Sequence, residues 1–247
     1  MLHGFWKLAW VETKVFVREP MGAIGSLLLP VVLFAALGRL MWSGEVGAAD
    51  LEQAPFNVTI LAALTIAVGS VLSLVAIMAI YREGGILKRL RATPLSPVTI
   101  LGAHVVVKLA FTVVSLALLV VAGRRILPGA IDVNLVGFTA ALLLGTASIL
   151  STGFVIASLV PTARFAQPIG AALFYPMIGL SGLFFPVDRM PDGLQVVAYC
   201  LPTTHAVSLM QGVWDGTPWC ALWMHVTALV LIGTVATALA ARVFRWE

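Results

Sequence analysis

Charged side chains that could bind another molecule are concentrated in one short segment, residues 81–97, which reads YREGGILKRLRATPLSP. Residues 53–80 before it contain no charged residue, and residues 98–123 after it contain only Lys108. The pattern predicts a short amphipathic helix over 83–93, which ends before Pro94 because the residue before a proline avoids the helical conformation. Such a helix either lies on a surface of anionic lipids or docks on a cytoplasmic protein. Its apolar face contains Ile86, Leu87 and Leu90, and its basic face contains Lys88 and Arg91.

The residue types that soluble enzymes use for catalysis form no recognisable motif along the chain. His3, His104, His205 and His225 are scattered, and no HExxH, GxSxG or GxxxxGK(S/T) motif occurs. The chain is therefore predicted not to be an enzyme. His104 and Lys108 share one helical face, and an ionisable residue within a membrane helix is a functional candidate. Lys108 lies about ten residues from the inner end, however, so the favoured interpretation is an anchoring charge that reaches toward the interface.

The amino-acid composition indicates whether these residues belong to a soluble protein or to a membrane protein. Hydrophobic residues make up 60% of the 247 residues, charged residues 11%, and the mean hydropathy is +1.03. Soluble domains contain about a quarter charged residues, so the chain is predicted to be an integral membrane protein. About 20 apolar residues in a helix cross a bilayer, and runs of this length exclude barrel strands. The predicted fold is all-α, a single transmembrane domain over residues 1–247 with six transmembrane helices at 21–40, 56–80, 98–122, 133–160, 165–185 and 222–241.

The distribution of basic residues orients the chain in the membrane. With the N-terminus inside, ten Lys and Arg residues fall in inner segments and four in outer segments, and positively charged loops stay in the cytoplasm. Six crossings then place both termini in the cytoplasm, with the protein in the cell (inner) membrane. The discordant residues are Arg124 and Arg125, which this topology places in a short outer turn.

Residues 1–19 are predicted to form a helix that lies in the membrane interface. Its three basic residues fall on one face, and Trp6 and Trp10 lie along another, which is the pattern of interfacial helices. The helix is either a simple anchor or a lever that transmits motion from a cytoplasmic partner to the first span.

Residues 186–219 are too apolar for a free loop and too rich in proline for a span. They predict two short helices, about 193–200 and 204–214, which re-enter the outer leaflet as a cap over a central pathway. Irregular backbone at membrane depth is tolerated only where it is buried in protein or faces water. The start of this segment is predicted to be an outer gate, because aromatic rings precede charges that should face water. The gate residues are Phe184, Phe185, Pro186, Asp188 and Arg189.

Two further patterns concern the interior of the helix bundle. Phe174 and Tyr175 are candidates for the lining of a substrate path, with ordinary bundle packing as the alternative. Gly137, Ala141 and Gly145 recur every fourth residue, a spacing of small residues that lets two helices approach closely. Packing within one subunit is the favoured interpretation of these small residues, ahead of a seam between two subunits.

Two motifs give the chain a resemblance to a known family. The segment that begins at Arg82 is similar to the motif that follows the second span of type-2 ABC export permeases. The segment 181–202 is similar to that family's signature before its last span. Both motifs occur in the expected order, and Ile86 is a departure because the family often has Thr there. The matching residues are Arg82-Glu83, Gly85, Leu87, Leu90 and Thr93-Pro94-Leu95-Ser96 in the first motif, and Ser181-Gly182, Phe185-Pro186, Pro191, Leu194 and Leu201-Pro202 in the second.

The resemblance implies the permease subunit of an ATP-driven exporter of amphipathic drugs or lipid-like substrates. The permease itself binds no cofactor, since ATP and Mg belong to a separate cytoplasmic ABC ATPase subunit whose groove receives a coupling helix at 83–91. A second permease subunit, as in a homodimer, and membrane lipids are the other implied partners, with no role for nucleic acid. The residues implied in coupling to the ATPase are Arg82, Glu83, Gly85, Leu87, Lys88, Arg89 and Arg91.

Two other classes of function are left open by the residues themselves. A proton-coupled secondary transporter would need buried carboxylates, whereas all eleven Asp and Glu residues lie outside the predicted spans or at their edges. A membrane-embedded assembly protein would need no transport at all. Co-purification of a cytoplasmic ATPase distinguishes the exporter from both.

Overall fold

The computed structural model describes residues 2–18, 27–36, 58–86, 97–126, 134–160 and 162–243. Regular structure in these ranges is helical throughout, with no β-strand among them, so the predicted all-α fold class is confirmed. The elements are α1 (Leu2–Arg18), α2 (Leu27–Ala36), α3 (Val58–Glu83), α4 (Pro97–Ile126), α5 (Leu135–Leu159), α6 (Ala163–Gly179), a 3-10 turn (Val187–Arg189), α7 (Asp192–Tyr199), α8 (Pro202–Trp214) and α9 (Trp223–Val243).

Among the described residues, α3, α4, α5 and α9 are long and apolar enough to cross a membrane. The first predicted span, 21–40, is described only over the short apolar helix α2. The fifth predicted span, 165–185, falls on α6, which ends at Gly179 rather than at Phe185 and is not among these four helices. Pro176 lies in the last turn of α6, and Gly182 has a φ of 85°, a left-handed conformation in which the chain turns away from the helix axis. The count of six crossings stays a prediction.

Helix α3 is largely enclosed by other helices, as expected of a helix that is apolar on all sides. Its residues Leu64, Val71 and Leu74 have no exposed surface. Gly153 of α5 lies so close to α3 that an added Cβ would be 2.5 Å from Val71 Cγ1. The absence of a side chain at this position therefore lets α3 and α5 pack in direct contact.

The small residues of α5 face helix α8 of the same subunit. A Cβ added at Gly145 would lie 2.8 Å from Ala206 Cβ, and one added at Gly137 would lie 3.3 Å from Val213 Cγ1. Because the lower residue number on α5 meets the higher one on α8, the two helices run antiparallel. The predicted packing of this stripe within one subunit is confirmed.

The segment before α9 contains two short helices, α7 and α8, close to the predicted bounds of 193–200 and 204–214. Pro202 starts α8, where its missing N–H leaves no bond unmade. The hydroxyl groups of Thr203 and Thr204 donate to the carbonyl oxygens of Met177 and Leu180, at 3.0 and 3.3 Å. These bonds fix the start of α8 against the end of α6. Entry of the α7–α8 pair into the outer leaflet stays a prediction.

Candidate coupling site

The C-terminal end of α3 is joined to α5 through the side chain of Arg82. Its Nη1 and Nη2 atoms donate to the carbonyl oxygens of Val160 and Ala157, at 2.6 and 2.8 Å. The last carbonyls of a helix lack partners within the helix and carry its negative dipole end, so a guanidinium is well suited to bind them. Arg82 was predicted to serve the coupling to an ATPase, and the structure directs its guanidinium to α5.

Residues 83–86 contain the end of α3 and a glycine turn. Gly84 N–H donates to the Ile80 carbonyl oxygen at 2.8 Å, and Gly85 N–H donates to that of Arg82 at 3.1 Å. Gly85 has a φ of 66°, the left-handed conformation with which glycine commonly ends a helix. Glu83 is exposed at this turn. The other predicted coupling residues, Leu87, Lys88, Arg89 and Arg91, lie outside the described residues.

Helix α1 is joined to the same end of α3 through Tyr81. The Tyr81 hydroxyl is 3.0 and 3.1 Å from the two carboxyl oxygens of Glu12, which is only 4% exposed. The indole rings of Trp6 and Trp10 remain more than 60% exposed, on the side of α1 that faces away from the bundle. The consecutive residues Tyr81 and Arg82 therefore connect the end of α3 to α1 on one side and to α5 on the other.

The anchoring interpretation of Lys108 is wrong in this structure. Its side chain is 3% exposed, and its ammonium donates to Ser73 Oγ at 2.6 Å and lies 4.3 Å from the ring centroid of Phe16. His104, one turn earlier on α4, is 3.4 Å from the Glu12 carboxylate. Packing of α1 against α4 encloses Lys108 before its stem can reach an interface, so the charge is held by a polar cluster inside the protein.

Glu12 is the residue in this region that the sequence interpretation missed. Glu12 was predicted to lie outside the spans or at their edges, and its position in α1 agrees with that prediction. Its burial was not predicted. A signal was present in the spacing, because Phe5, Ala9, Glu12 and Phe16 fall on one helical face and this face packs on α4.

At the opposite end of the bundle, the structure separates the two predicted gate rings. Phe184 is half-buried against the main core, whereas Phe185 is 70% exposed. Asp188 and Arg189 are exposed, and Asp188 Oδ1 accepts a hydrogen bond from the Tyr199 hydroxyl at 3.1 Å. The two charged side chains are thus exposed, as predicted, but the two phenylalanine rings do not pack together to close a path. Pro186 precedes the 3-10 turn and is exposed.

Phe174 and Tyr175 do not line a common surface. Phe174 has no exposed surface and belongs to the main core, whereas Tyr175 is 62% exposed. Neighbouring residues of a helix point about 100° apart, so only a path that passes between helices could contact both. The complete burial of Phe174 agrees with the alternative prediction, that this ring packs in the helix bundle.

Two histidines that are distant in sequence meet beside the α7–α8 pair. His205 Nε2 is 2.9 Å from the Tyr199 carbonyl oxygen, so this nitrogen carries the proton and donates. His205 Nδ1 lies 3.1 Å from His225 Nδ1, and with a neutral His205 the His225 nitrogen is the donor. The histidines are therefore not all scattered, and this pair ties α7, α8 and α9 together.

Comparison with known proteins decides the family to which this bundle belongs. The family model of the ABC-2 type transporter matches residues 3–214. The chain belongs to the ABC-2 type transporter family. The match includes both ends of the bundle described above, and it identifies the chain as a membrane permease component rather than a catalytic subunit. Permeases of this family normally work with an ATPase subunit.

Curated relatives of this permease share only part of its length. It is 31% identical over 81 residues to Nodulation protein J of Rhizobium leguminosarum bv. viciae, in an alignment that covers 33% of this chain and 31% of the relative. It is 26% identical over 95 residues to Nodulation protein J of Rhizobium meliloti (strain 1021), covering 38% and 36%. The aligned part of the chain thus spans about a third of the length of these relatives.

Proposed function

We propose that the chain is the membrane-spanning subunit of an ATP-driven exporter that moves amphipathic drugs or lipid-like substrates out of the cytoplasm. The family match over residues 3–214 carries this proposal. A cytoplasmic ATPase subunit binds ATP and Mg and docks on the segment 83–91. Two permease subunits, identical in a homodimer, form the transport path in the cell membrane, with both termini of each in the cytoplasm.

The end of α3 provides a mechanical basis for coupling. Glu83 is exposed at the end of α3, and the two preceding residues bind α1 and α5. A displacement of the segment 83–91 by the ATPase is passed to α3 and, through Tyr81 and Arg82, to its two neighbours. Hydrogen-bonded, packed helices transmit such a displacement better than an unrestrained loop.

Proton-coupled transport was disfavoured for want of a buried carboxylate, and Glu12 removes that objection. The family match still favours ATP-driven transport, because ABC-2 permeases work with an ATPase.

Reversal of the charge at Glu83 tests the proposed docking site. We expect E83K to lower permease-dependent ATP hydrolysis by about tenfold or more while membrane insertion is unchanged, because it places a like charge against a basic partner surface. The matched control is D192K, which reverses an exposed carboxylate at the opposite end of the bundle. The measurement is ATP hydrolysis by the purified complex, with the amount of ATPase subunit recovered. Equal effects of both variants would contradict docking at 83.

Single substitutions at the two rings test the proposed outer gate. F184A removes a ring that packs on the core, and we expect a solute leak or raised basal ATP hydrolysis together with a loss of stability of about 2 kcal/mol. F185A removes an exposed ring and serves as the matched control. Leak of a small dye from vesicles measures the effect. A leak from F185A alone would show that the half-buried ring does not close the path.

A further inference from the structure

The carboxyl group of Glu12 is enclosed by titratable groups from two membrane helices. Tyr81 approaches it from α3, and His104 and Lys108 approach it from α4. On α1 itself the nearest charged residue, Lys14, is exposed and lies over the ring of Trp10. The carboxyl group is thus separated from solvent on the side where α1 meets the bundle.

Burial raises the pKa of Glu12 from 4.5 to about 7, although the Tyr81 hydroxyl and the Lys108 ammonium act in the opposite direction. The carboxyl group therefore gains or loses a proton near neutral pH. In its neutral form it can donate to His104 Nδ1 and still accept from Tyr81. His104 Nε2 has no hydrogen-bond partner among the described residues, so the imidazole has no second contact that fixes its tautomer.

The position of this cluster links it to the coupling site. Tyr81 is the residue immediately before Arg82, and Glu83 and the Gly84-Gly85 turn follow directly. A change in the hydrogen bond between Glu12 and Tyr81 therefore shifts the end of α3, where the segment that the ATPase is proposed to contact begins.

We propose that Glu12 is a positioning residue for coupling: through Tyr81 it sets the end of α3, and its protonation determines how firmly α1 is docked on α3 and α4. This inference rests on the proposed function. Because the pKa is higher in the docked state, docking is most favourable below about pH 4.5 and weakens as the pH rises through about 7. The neutral carboxyl group is the docked form, and ionisation loosens α1.

The first experiment measures docking without the ATPase. Spin labels at exposed positions 10 on α1 and 231 on α9 report their separation in lipid nanodiscs, in a background where the two exposed free cysteines, Cys200 and Cys220, are replaced by serine. We expect the distance distribution of the wild type to broaden between pH 6 and pH 8. E12Q, which mimics the neutral carboxyl group, is expected to stay narrow at both pH values, and K14Q to follow the wild type.

The second experiment measures coupling in the purified permease–ATPase complex. Permease-dependent ATP hydrolysis, after subtraction of the isolated ATPase at each pH, is expected to fall about tenfold from pH 6 to pH 8 in the wild type. E12Q is expected to lose this pH dependence. Y81F, which keeps the ring and removes only the hydroxyl, is expected to lower coupling at all pH values, so a folding defect of E12Q does not prevent the test.

The outcomes separate this inference from the proposed function. If E12Q keeps the pH dependence of the wild type in both experiments, or Y81F matches the wild type throughout, the positioning role of Glu12 is overturned. If no ATPase is recovered with the wild type, the proposed function fails, and the role of Glu12 in coupling fails with it. A structural role alone would change stability without changing the pH profile of hydrolysis.

Discussion

Replacement of Arg82 by methionine is expected to lower the free energy of unfolding by about 3 kcal/mol, because it removes two charge-assisted hydrogen bonds. The Ala157 and Val160 carbonyl oxygens at the end of α5 would lose the guanidinium that binds them at 2.8 and 2.6 Å. R82K is expected to recover part of the loss, since an ammonium retains the charge but not the planar fork that reaches two carbonyls. Denaturant titration of the purified permease in mixed micelles measures the change.

The control for Arg82 is the same substitution at an arginine without this role. Arg125 is exposed at the end of α4, so R125M is expected to change stability by less than about 0.5 kcal/mol. A similar loss in R82M and R125M would show that loss of positive charge, and not the contact with α5, accounts for the effect.

Replacement of Gly145 by alanine is expected to destabilise the packing of α5 against α8 by about 1–3 kcal/mol. The new Cβ would lie 2.8 Å from Ala206 Cβ, an atom that cannot move unless the α8 backbone moves with it. The loss exceeds the gain of about 1 kcal/mol in helix propensity that alanine brings.

The matched control for Gly145 is Gly69 in α3. An added Cβ there meets no atom within 4 Å, so G69A is expected to be neutral or to stabilise by up to about 1 kcal/mol. Both variants are compared by denaturant titration under identical conditions. Equal stabilisation by G145A and G69A would contradict close packing of α5 on α8.

Features that depend on local sequence were predictable in this chain. The charged segment after α3 followed from an abrupt change in composition, and its Gly85 turn has the conformation that only glycine adopts readily. The two short helices α7 and α8 followed from the prolines that interrupt residues 186–219, and α8 begins at Pro202, two residues before its predicted start. Such signals act over a few residues and need no knowledge of the neighbouring helices.

Features that depend on contacts between distant residues were not predictable. Glu12 and Tyr81 are 69 residues apart, and His205 and His225 are 20 apart, so their pairing arises from helix packing. The different burial of Phe184 and Phe185 also depends on tertiary structure. Helix α6 ends at Gly179, so the two rings lie outside it and do not follow its helical periodicity. Charge and periodicity predicted where the candidate sites lie, whereas tertiary packing decided which side chains meet there.

The central claim, that an ATPase docks where α3 ends, is tested most directly by cross-linking. A photoreactive amino acid is placed at position 83, and a second variant carries it at position 188, since both positions are exposed but lie at opposite ends of the bundle. After illumination of the complex in native membranes, we expect a covalent adduct with the ATPase subunit from position 83 and none from position 188. An adduct from position 188, or none from position 83 although the ATPase is recovered with the permease, would contradict it.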